Sequence, residues 1–163
     1  MVVAHQGIAS SAHTATAAQA PHWATNSEAI GHHVTGERRV VLVCGPPGSG
    51  KTTWAKASGL TVYDRDDPQW QGERHFTSAI AGLAYDTDAQ AVVIRSGATQ
   101  SARDKAADLI GATETRMIDT DAHECKRRVH QRKRDHPPMQ AQLTSIDQWW
   151  ATYEPINVAS RDW

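Results

Sequence analysis

A glycine-rich segment that ends in a lysine and a threonine offers the clearest chemistry in this chain. Residues Gly45–Thr52 fit the spacing G-x-x-x-x-G-K-[ST]. Glycines let successive backbone N–H groups turn inward toward phosphate oxygens, and the start of a helix adds partial positive charge. Such a lysine neutralises β- and γ-phosphates, and the threonine hydroxyl binds Mg²⁺. The predicted nucleotide-binding residues are Gly45, Pro46, Pro47, Gly48, Ser49, Gly50, Lys51, Thr52 and Thr53.

The sequence around this segment narrows the class of nucleotide-binding protein. No N-K-x-D motif is present to read guanine, so we expect ATP with Mg²⁺ as the bound nucleotide. A length of 163 residues leaves little room for the second domain of a motor ATPase. The sequence therefore predicts a small kinase, which needs a base near the acceptor hydroxyl and cations on the transferred phosphoryl group.

Three segments resemble the kinase domain of phage-type 5′-polynucleotide kinases. They are the loop with its flanks, Cys44–Ala55, the triplet Arg65-Asp66-Asp67, and the basic stretch Glu124–Arg132. The broader group of P-loop kinase-like ATPases of phage genomes is similar to the same extent. The resemblance covers most of residues 40–153, and it is specific at the first two segments.

The resemblance implies roles for individual residues. Asp66 would be the general base that accepts the proton of the attacking hydroxyl. Arg132 would be the lid arginine that reaches the β- and γ-phosphates, with Arg128, one helical turn earlier, as the competing candidate. Lys51 completes the predicted catalytic set. The basic residues of this stretch cannot all face one phosphate, so others must lie on a solvated face or contact a nucleic-acid backbone.

Two departures from that family concern the acceptor site. Where the family carries a carboxylate at the end of the third strand, this chain has Arg95, which would bind an acceptor phosphate or pair with Asp66 and Asp67. Where the family carries an acceptor-site arginine, this chain has Pro68-Gln69-Trp70. Trp70 would stack on a base or sugar, or pack within its loop.

Apolar runs and helical periodicity predict the elements that must position these residues. Continuous β-branched runs at 40–44 and 91–94, with shorter ones at 61–63 and 115–118, are typical of parallel strands. Helices are expected at 51–58, 73–85, 101–110 with Ser101 as its cap, 121–134 and 142–153. Strands that alternate with helices predict an α/β, three-layer P-loop NTPase fold around a four-stranded parallel sheet.

Composition limits the remaining possibilities. Hydrophobic residues make up 39% of the chain, enough for a core, and the net charge of −1 gives no overall attraction to nucleic acid. The two cysteines lack metal-ligand spacing, which favours a reducing, cytoplasmic setting. No apolar stretch is long enough for a membrane helix. Residues 1–36 are predicted to be a disordered extension that could dock a protein partner, and residues 37–163 the kinase-like domain.

The leading hypothesis is transfer of the γ-phosphoryl group of ATP to the 5′-hydroxyl end of a nucleic acid. Two alternatives stay open at this point. The acceptor could be a small molecule such as a nucleoside, a sugar or an antibiotic. The domain could instead bind or hydrolyse ATP as a switch or assembly factor, without transferring the phosphoryl group to a substrate.

Overall fold

The structure, a computed structural model, describes residues 36–133 and 135–156 of the chain. The predicted extension at 1–36 and its docking role therefore lie, apart from Gly36, outside the described residues. In chain order the elements are β1 (Arg39–Cys44), α1 (Lys51–Ala57), β2 (Thr61–Asp64), α2 (Glu73–Ala81), β3 (Gln90–Arg95), α3 (Gln100–Ile110), β4 (Glu114–Met117), α4 (Ala122–Arg132) and α5 (Met139–Thr152). None of the helices in the described ranges is both long enough and apolar enough to cross a bilayer.

The four strands form one parallel sheet in the order β2-β3-β1-β4. Strand β1 lies in the interior, with Leu42 opposite Val93 of β3 and Thr115 of β4. All carboxyl ends of the strands meet at one edge, and the loops that follow β1, β2 and β3 begin there. The predicted four-stranded parallel sheet is confirmed, and with it the edge where α/β proteins assemble their sites.

The buried strands pack on both faces, which explains their continuous apolar runs. One face carries Val40, Leu42 and Val93 against helices α2 and α3. The other face carries Val41, Val43, Ala55 of α1 and neighbouring side chains. Helices on both sides of the sheet produce the predicted three-layer α/β arrangement.

Several helix ends differ from the predictions. Helix α2 ends at Ala81, and the chain continues through a 3₁₀ turn over Gly82–Tyr85, because glycine weakens the regular helix at that point. The side chain that caps α3 is Thr99, which accepts a hydrogen bond from the Ala102 N–H, so the prediction of Ser101 was wrong. Helix α5 begins at Met139, directly after Pro138, three residues earlier than predicted.

A buried arginine, Arg103, fastens the loop after β3 to the segment after α5. Its side chain is 2% exposed. The guanidinium donates to the carbonyl oxygens of Gly97 and Ala98, both at 2.9 Å, and to that of Glu154 at 2.7 Å. Gln100 Oε1 accepts a fourth bond at 2.9 Å. The charge thus lies among backbone carbonyls and joins two segments that are distant in sequence.

We expect Arg103→Met to destabilise the fold by about 3 kcal/mol, because one buried and two partly buried carbonyl groups lose their charged donor. The measurement is the free energy of unfolding in urea. Lys105→Met, an exposed position on the same helix, is the control and should change that energy by less than about 0.5 kcal/mol. Equal effects of the two substitutions would show that Arg103 does not hold these segments together.

Candidate active site

The loop between β1 and α1 closes around the ammonium group of Lys51. Lys51 Nζ donates to the carbonyl oxygens of Gly45 at 2.8 Å and Pro46 at 2.7 Å. Gly48 and Gly50 have φ angles of 79° and 103°, in the left-handed region that glycine adopts without strain. The glycines at these positions therefore give the loop the curvature that the motif predicted.

Burial lowers the pKa of Lys51 to about 8, and the nearby Asp64 carboxylate opposes that shift. Within the described part of the chain the ammonium bonds only to carbonyl oxygens, with no carboxylate in salt-bridge contact. A buried cation without a paired anion is costly. The loop is therefore arranged to receive an anion, as a phosphate-binding loop must be.

The hydroxyl of Thr52 contacts a carboxylate that the sequence analysis had not selected. Thr52 Oγ1 donates to Asp64 Oδ2 at 2.9 Å. Asp64 is the last residue of β2, and its Oδ1 accepts a hydrogen bond from the backbone N–H of Asp66 at 3.1 Å. The sequence feature that could have identified Asp64 as a site residue is its position at the end of a strand, where it is the first acidic residue of the cluster 64–67.

The predicted base Asp66 lies two residues beyond β2 and is exposed. Its carboxylate takes part in no hydrogen bond with the other described residues, so both oxygens remain open to a substrate. Asp66 and Lys51 line the same two adjoining cavities beside the phosphate-binding loop. The general-base role of Asp66 stays a prediction.

Arg95, predicted as an acceptor-site residue, is held by a carboxylate that the sequence analysis did not name. Arg95 Nη1 contacts Glu73 Oε1 at 2.7 Å, and its guanidinium carbon lies 4.8 Å from the centre of the Phe76 ring. Arg65 Nε contacts the other oxygen of Glu73 at 2.6 Å. The hydrogen bond from Arg95 holds the pKa of Glu73 below its usual range. The prediction of Asp66 or Asp67 as the partner therefore missed Glu73, which begins α2.

The two lid candidates on α4 have different surroundings. Arg128 Nη1 donates to the carbonyl oxygen of Ser49 at 3.0 Å, and its Nε donates to Glu124 Oε1 at 2.7 Å. Its guanidinium therefore braces the loop. Arg132, the last residue of α4, lines the cavity that also contains Lys51 and Thr52. Arg128 does not line that cavity, and the lid role of either arginine stays a prediction.

Other basic residues of α4 form ion pairs on its solvated side, which was one of the two predicted outcomes. Lys126 Nζ contacts Asp147 Oδ1 at 2.6 Å, and Arg127 contacts Glu124 at 2.6 Å. Arg134 is outside the described residues. Glu124 also pairs with Arg128, so one carboxylate is shared by two arginines on this helix.

A cleft of about 900 Å³ lies on the other side of the loop, between α1, the segment after β4, and α4. Trp54 lines it, with the Arg116 guanidinium carbon 4.8 Å from the centre of one of its rings. Backbone and side chains of Ile118, Asp119 and Thr120 form the opposite wall. The cleft adjoins Gly48 and Gly50, and it is large enough for a nucleoside.

Trp70 adopts the packing role rather than the stacking role. Its Nε1 donates to the carbonyl oxygen of Asp64 at 2.8 Å, and its ring meets the Phe76 ring edge-on at 5.3 Å between centres. The indole thereby supports the end of β2.

Within the described residues no group of three or more His, Cys, Asp or Glu side chains forms a metal cluster.

Comparison with known proteins gives the fold. No family model matches the chain, and no curated protein matches it. An unliganded sugar kinase from Janibacter sp. HTCC2649 is similar in structure, with a TM-score of 0.52, 23% identity, and coverage of 74% of this chain and 80% of the other. A gluconokinase from Sinorhizobium meliloti 1021 has a TM-score of 0.48, 22% identity, and coverages of 76% and 79%. The YorR protein of Bacillus subtilis, solved with phosphorylated GDP, has a TM-score of 0.42, 14% identity, and coverages of 69% and 79%. The chain has a P-loop kinase-like fold.

The close packing of α4 on the phosphate-binding loop can be tested by replacing a loop glycine with alanine. A Cβ atom on Gly48 would lie 2.7 Å from the carbonyl oxygen of Cys125, whereas one on Gly59 would meet nothing within 4 Å. Both glycines have φ near 77°, at 79° and 75°, so alanine is similarly strained at either site. We expect Gly59→Ala to cost about 1 kcal/mol of unfolding free energy, and Gly48→Ala to cost about 1–3 kcal/mol more.

The measurement is urea unfolding of both variants beside the wild type. The difference between the two variants isolates the contact with α4, since the backbone penalty is common to both. Indistinguishable unfolding free energies would mean that α4 does not press on the loop in solution.

Proposed function

We propose that this chain is an ATP-dependent kinase that transfers the γ-phosphoryl group to a hydroxyl of a small acceptor. The observation that carries the proposal is a cavity of about 700 Å³ lined by both Lys51 and the open carboxylate of Asp66. The lysine can bind phosphate, and the aspartate carboxylate can accept a proton. Phosphoryl transfer to a hydroxyl needs both within reach of one reacting centre.

The donor nucleotide would extend from the loop into the 900 Å³ cleft. Backbone N–H groups of the loop and Lys51 would hold its phosphates, and the base would lie toward Trp54 and Thr120. The absence of an N-K-x-D sequence supports ATP over GTP. The fold shared with the Janibacter sugar kinase supports assignment of this chain to the kinases.

The contact between Thr52 and Asp64 fits a magnesium site. A hydroxyl and a carboxylate are hard oxygen donors, and Mg²⁺ in such proteins keeps only one or two protein ligands beside phosphate oxygens and water. Thr52 and Asp64 would hold the ion, directly or through water. When bound, Mg²⁺ neutralises the charge of the triphosphate.

The remaining chemistry would be done by residues of this chain. Asp66 accepts the proton of the acceptor hydroxyl while that oxygen attacks the γ-phosphorus. The bond between the γ-phosphorus and the bridging oxygen breaks, and ADP leaves. Lys51 and Arg132 stabilise the negative charge that spreads over the transferred group.

The surroundings of the cavity support a small acceptor over a polynucleotide. Binding of a nucleic-acid chain requires cations for its phosphates. The two arginines at the cavity, Arg65 and Arg95, are paired with Glu73. The 5′-polynucleotide end remains the second candidate, favoured because Arg65 and Asp66 of the triplet line the same cavity as Lys51.

The test is transfer of label from γ-³²P ATP, with Mg²⁺, to sugars, polyols, nucleosides and a 5′-hydroxyl oligonucleotide. We expect label on a small acceptor, and none with Lys51→Ala. Asp66→Asn should lower the transfer rate by roughly 10²- to 10⁴-fold while the Kd of ATP stays within about twofold. Asp88→Asn is the matched control, because Asp88 is an exposed aspartate that is distant in sequence from Asp66. This variant should transfer label at the wild-type rate.

Other outcomes discriminate among the alternatives. Label on the oligonucleotide alone would establish the polynucleotide acceptor. Lys51-dependent release of inorganic phosphate, without label on any acceptor, would favour the ATPase switch. Wild-type turnover by Asp66→Asn would remove Asp66 from the mechanism.

A further inference from the structure

We infer that the acceptor is an uncharged, hydroxyl-rich molecule of the carbohydrate or polyol class, and that Gln148 of α5 is the residue that selects it. This inference rests on the proposed function, because it concerns the acceptor side of the same cavity. It is carried by the composition of the cavity wall that helix α5 supplies.

Helix α5 supplies that wall. Ser145, Gln148 and Thr152 all line the cavity that contains Lys51 and Asp66. Their spacing of three and four residues places them on one face of the helix. The wall is fixed in place by Trp149, whose side chain is buried and whose Nε1 donates to the carbonyl oxygen of Ser96 at 2.7 Å, just beyond the end of β3.

Three carboxylates lie near the three cations of this wall, which are the loop lysine and two arginines. Glu73 accepts from Arg65 with one carboxylate oxygen and from Arg95 with the other. Asp64 and Asp66 add two further carboxylates to the same cavity. A carboxylate or phosphate on the acceptor would lie beside these like charges, which costs free energy. An uncharged acceptor meets no such penalty.

The neutral polar groups of the wall match hydroxyls. Ser145 Oγ donates to the Ala141 carbonyl and Thr152 Oγ1 to the Gln148 carbonyl, so toward the cavity both hydroxyls can only accept. The Gln148 side-chain amide has no hydrogen bond within the described part of the chain. It therefore offers both a donor and an acceptor, which is the pairing that a hydroxyl can satisfy from both sides.

The aromatic residues near the cavity do not offer a face for a base. Trp149 stacks on Tyr153 with ring centres 4.6 Å apart. Trp150 contacts the Trp149 ring edge-on, with 5.1 Å between ring centres. Trp70 packs against Phe76. Recognition of a nucleobase relies on such a face. The occupant that fits the wall is therefore a hydroxyl-bearing chain or ring without a base.

The experiment compares kinase rates on matched acceptors that differ in charge. One set contains neutral hexoses, pentoses and hexitols, including D-glucose; the other contains the corresponding acids and phosphates, including D-gluconate and D-glucose 6-phosphate. We expect kcat/KM at least tenfold higher for the best neutral acceptor than for any charged counterpart. Gln148→Leu should raise the acceptor KM about tenfold and leave the KM of ATP unchanged, as expected for a lost pair of hydrogen bonds.

Gln140→Leu is the matched control, since Gln140 is an exposed glutamine on the same helix outside the cavity. Its acceptor KM should equal that of the wild type. Preference for the acids or phosphates would overturn the neutral acceptor while the proposed kinase stands. An unchanged acceptor KM in Gln148→Leu would remove Gln148 as the selecting residue. No transfer to either set would overturn the carbohydrate or polyol acceptor. The proposed kinase itself is overturned only if nucleosides and the 5′-hydroxyl oligonucleotide also take no label while Lys51-dependent ATP binding is intact.

Discussion

The partial burial of one ammonium group without a paired anion is the constraint on which the site depends. Lys51 is enclosed by a loop whose carbonyl oxygens are its hydrogen-bond partners among the described residues, and burial brings its pKa down to about 8. Such a cation costs free energy unless hydrogen bonds compensate it, so the loop must hold its carbonyl oxygens in place. Strand β1 holds one end of the loop and α1 the other, while Arg128 of α4 braces its middle.

The parallel sheet gathers the rest of the site around that charge. Strand β1 is interior, so the ends of β3 and β2 follow beside it in order. The end of β2 supplies Asp64 to Thr52 and presents Asp66 just beyond it. The end of β3 supplies Arg95, which is held by Glu73. The same side of the loop meets α5, which is anchored by Trp149 and, at its far end, by the contacts of Arg103. One sheet edge thus brings together residues that are far apart in sequence.

Local patterns predicted much of this arrangement. The apolar runs gave the strands because interior parallel strands need β-branched residues on both faces, and the glycine spacing gave the loop that encloses Lys51. Asp66 and Arg132 were selected by resemblance, and they lie at the cavities around Lys51. Contacts between distant elements could not be predicted, because they depend on side-chain directions that a single sequence does not specify. These contacts are the hydrogen bond between Thr52 and Asp64, the ion pair between Arg95 and Glu73, and the hydrogen bond from Arg128 to the loop. The neutral wall of α5 belongs to the same group, because helix α5 contributes to the cavity only through the packing of the loop after β3.

The measurement that bears most directly on this account is the pKa of Lys51 itself, followed by NMR of the ¹³Cε-labelled lysine across pH 6–11 with and without ADP. The free protein should titrate near pH 8, and bound phosphates should return the pKa toward or above its ordinary value, because they stabilise the charged form. Between those two values the free protein has lost the proton that the complex retains, so ADP affinity should fall as pH rises through 8. A Lys51 that titrates near 10.5 in the free protein, or that does not respond to ADP, would contradict the claim that this loop is built around a buried cation for phosphate.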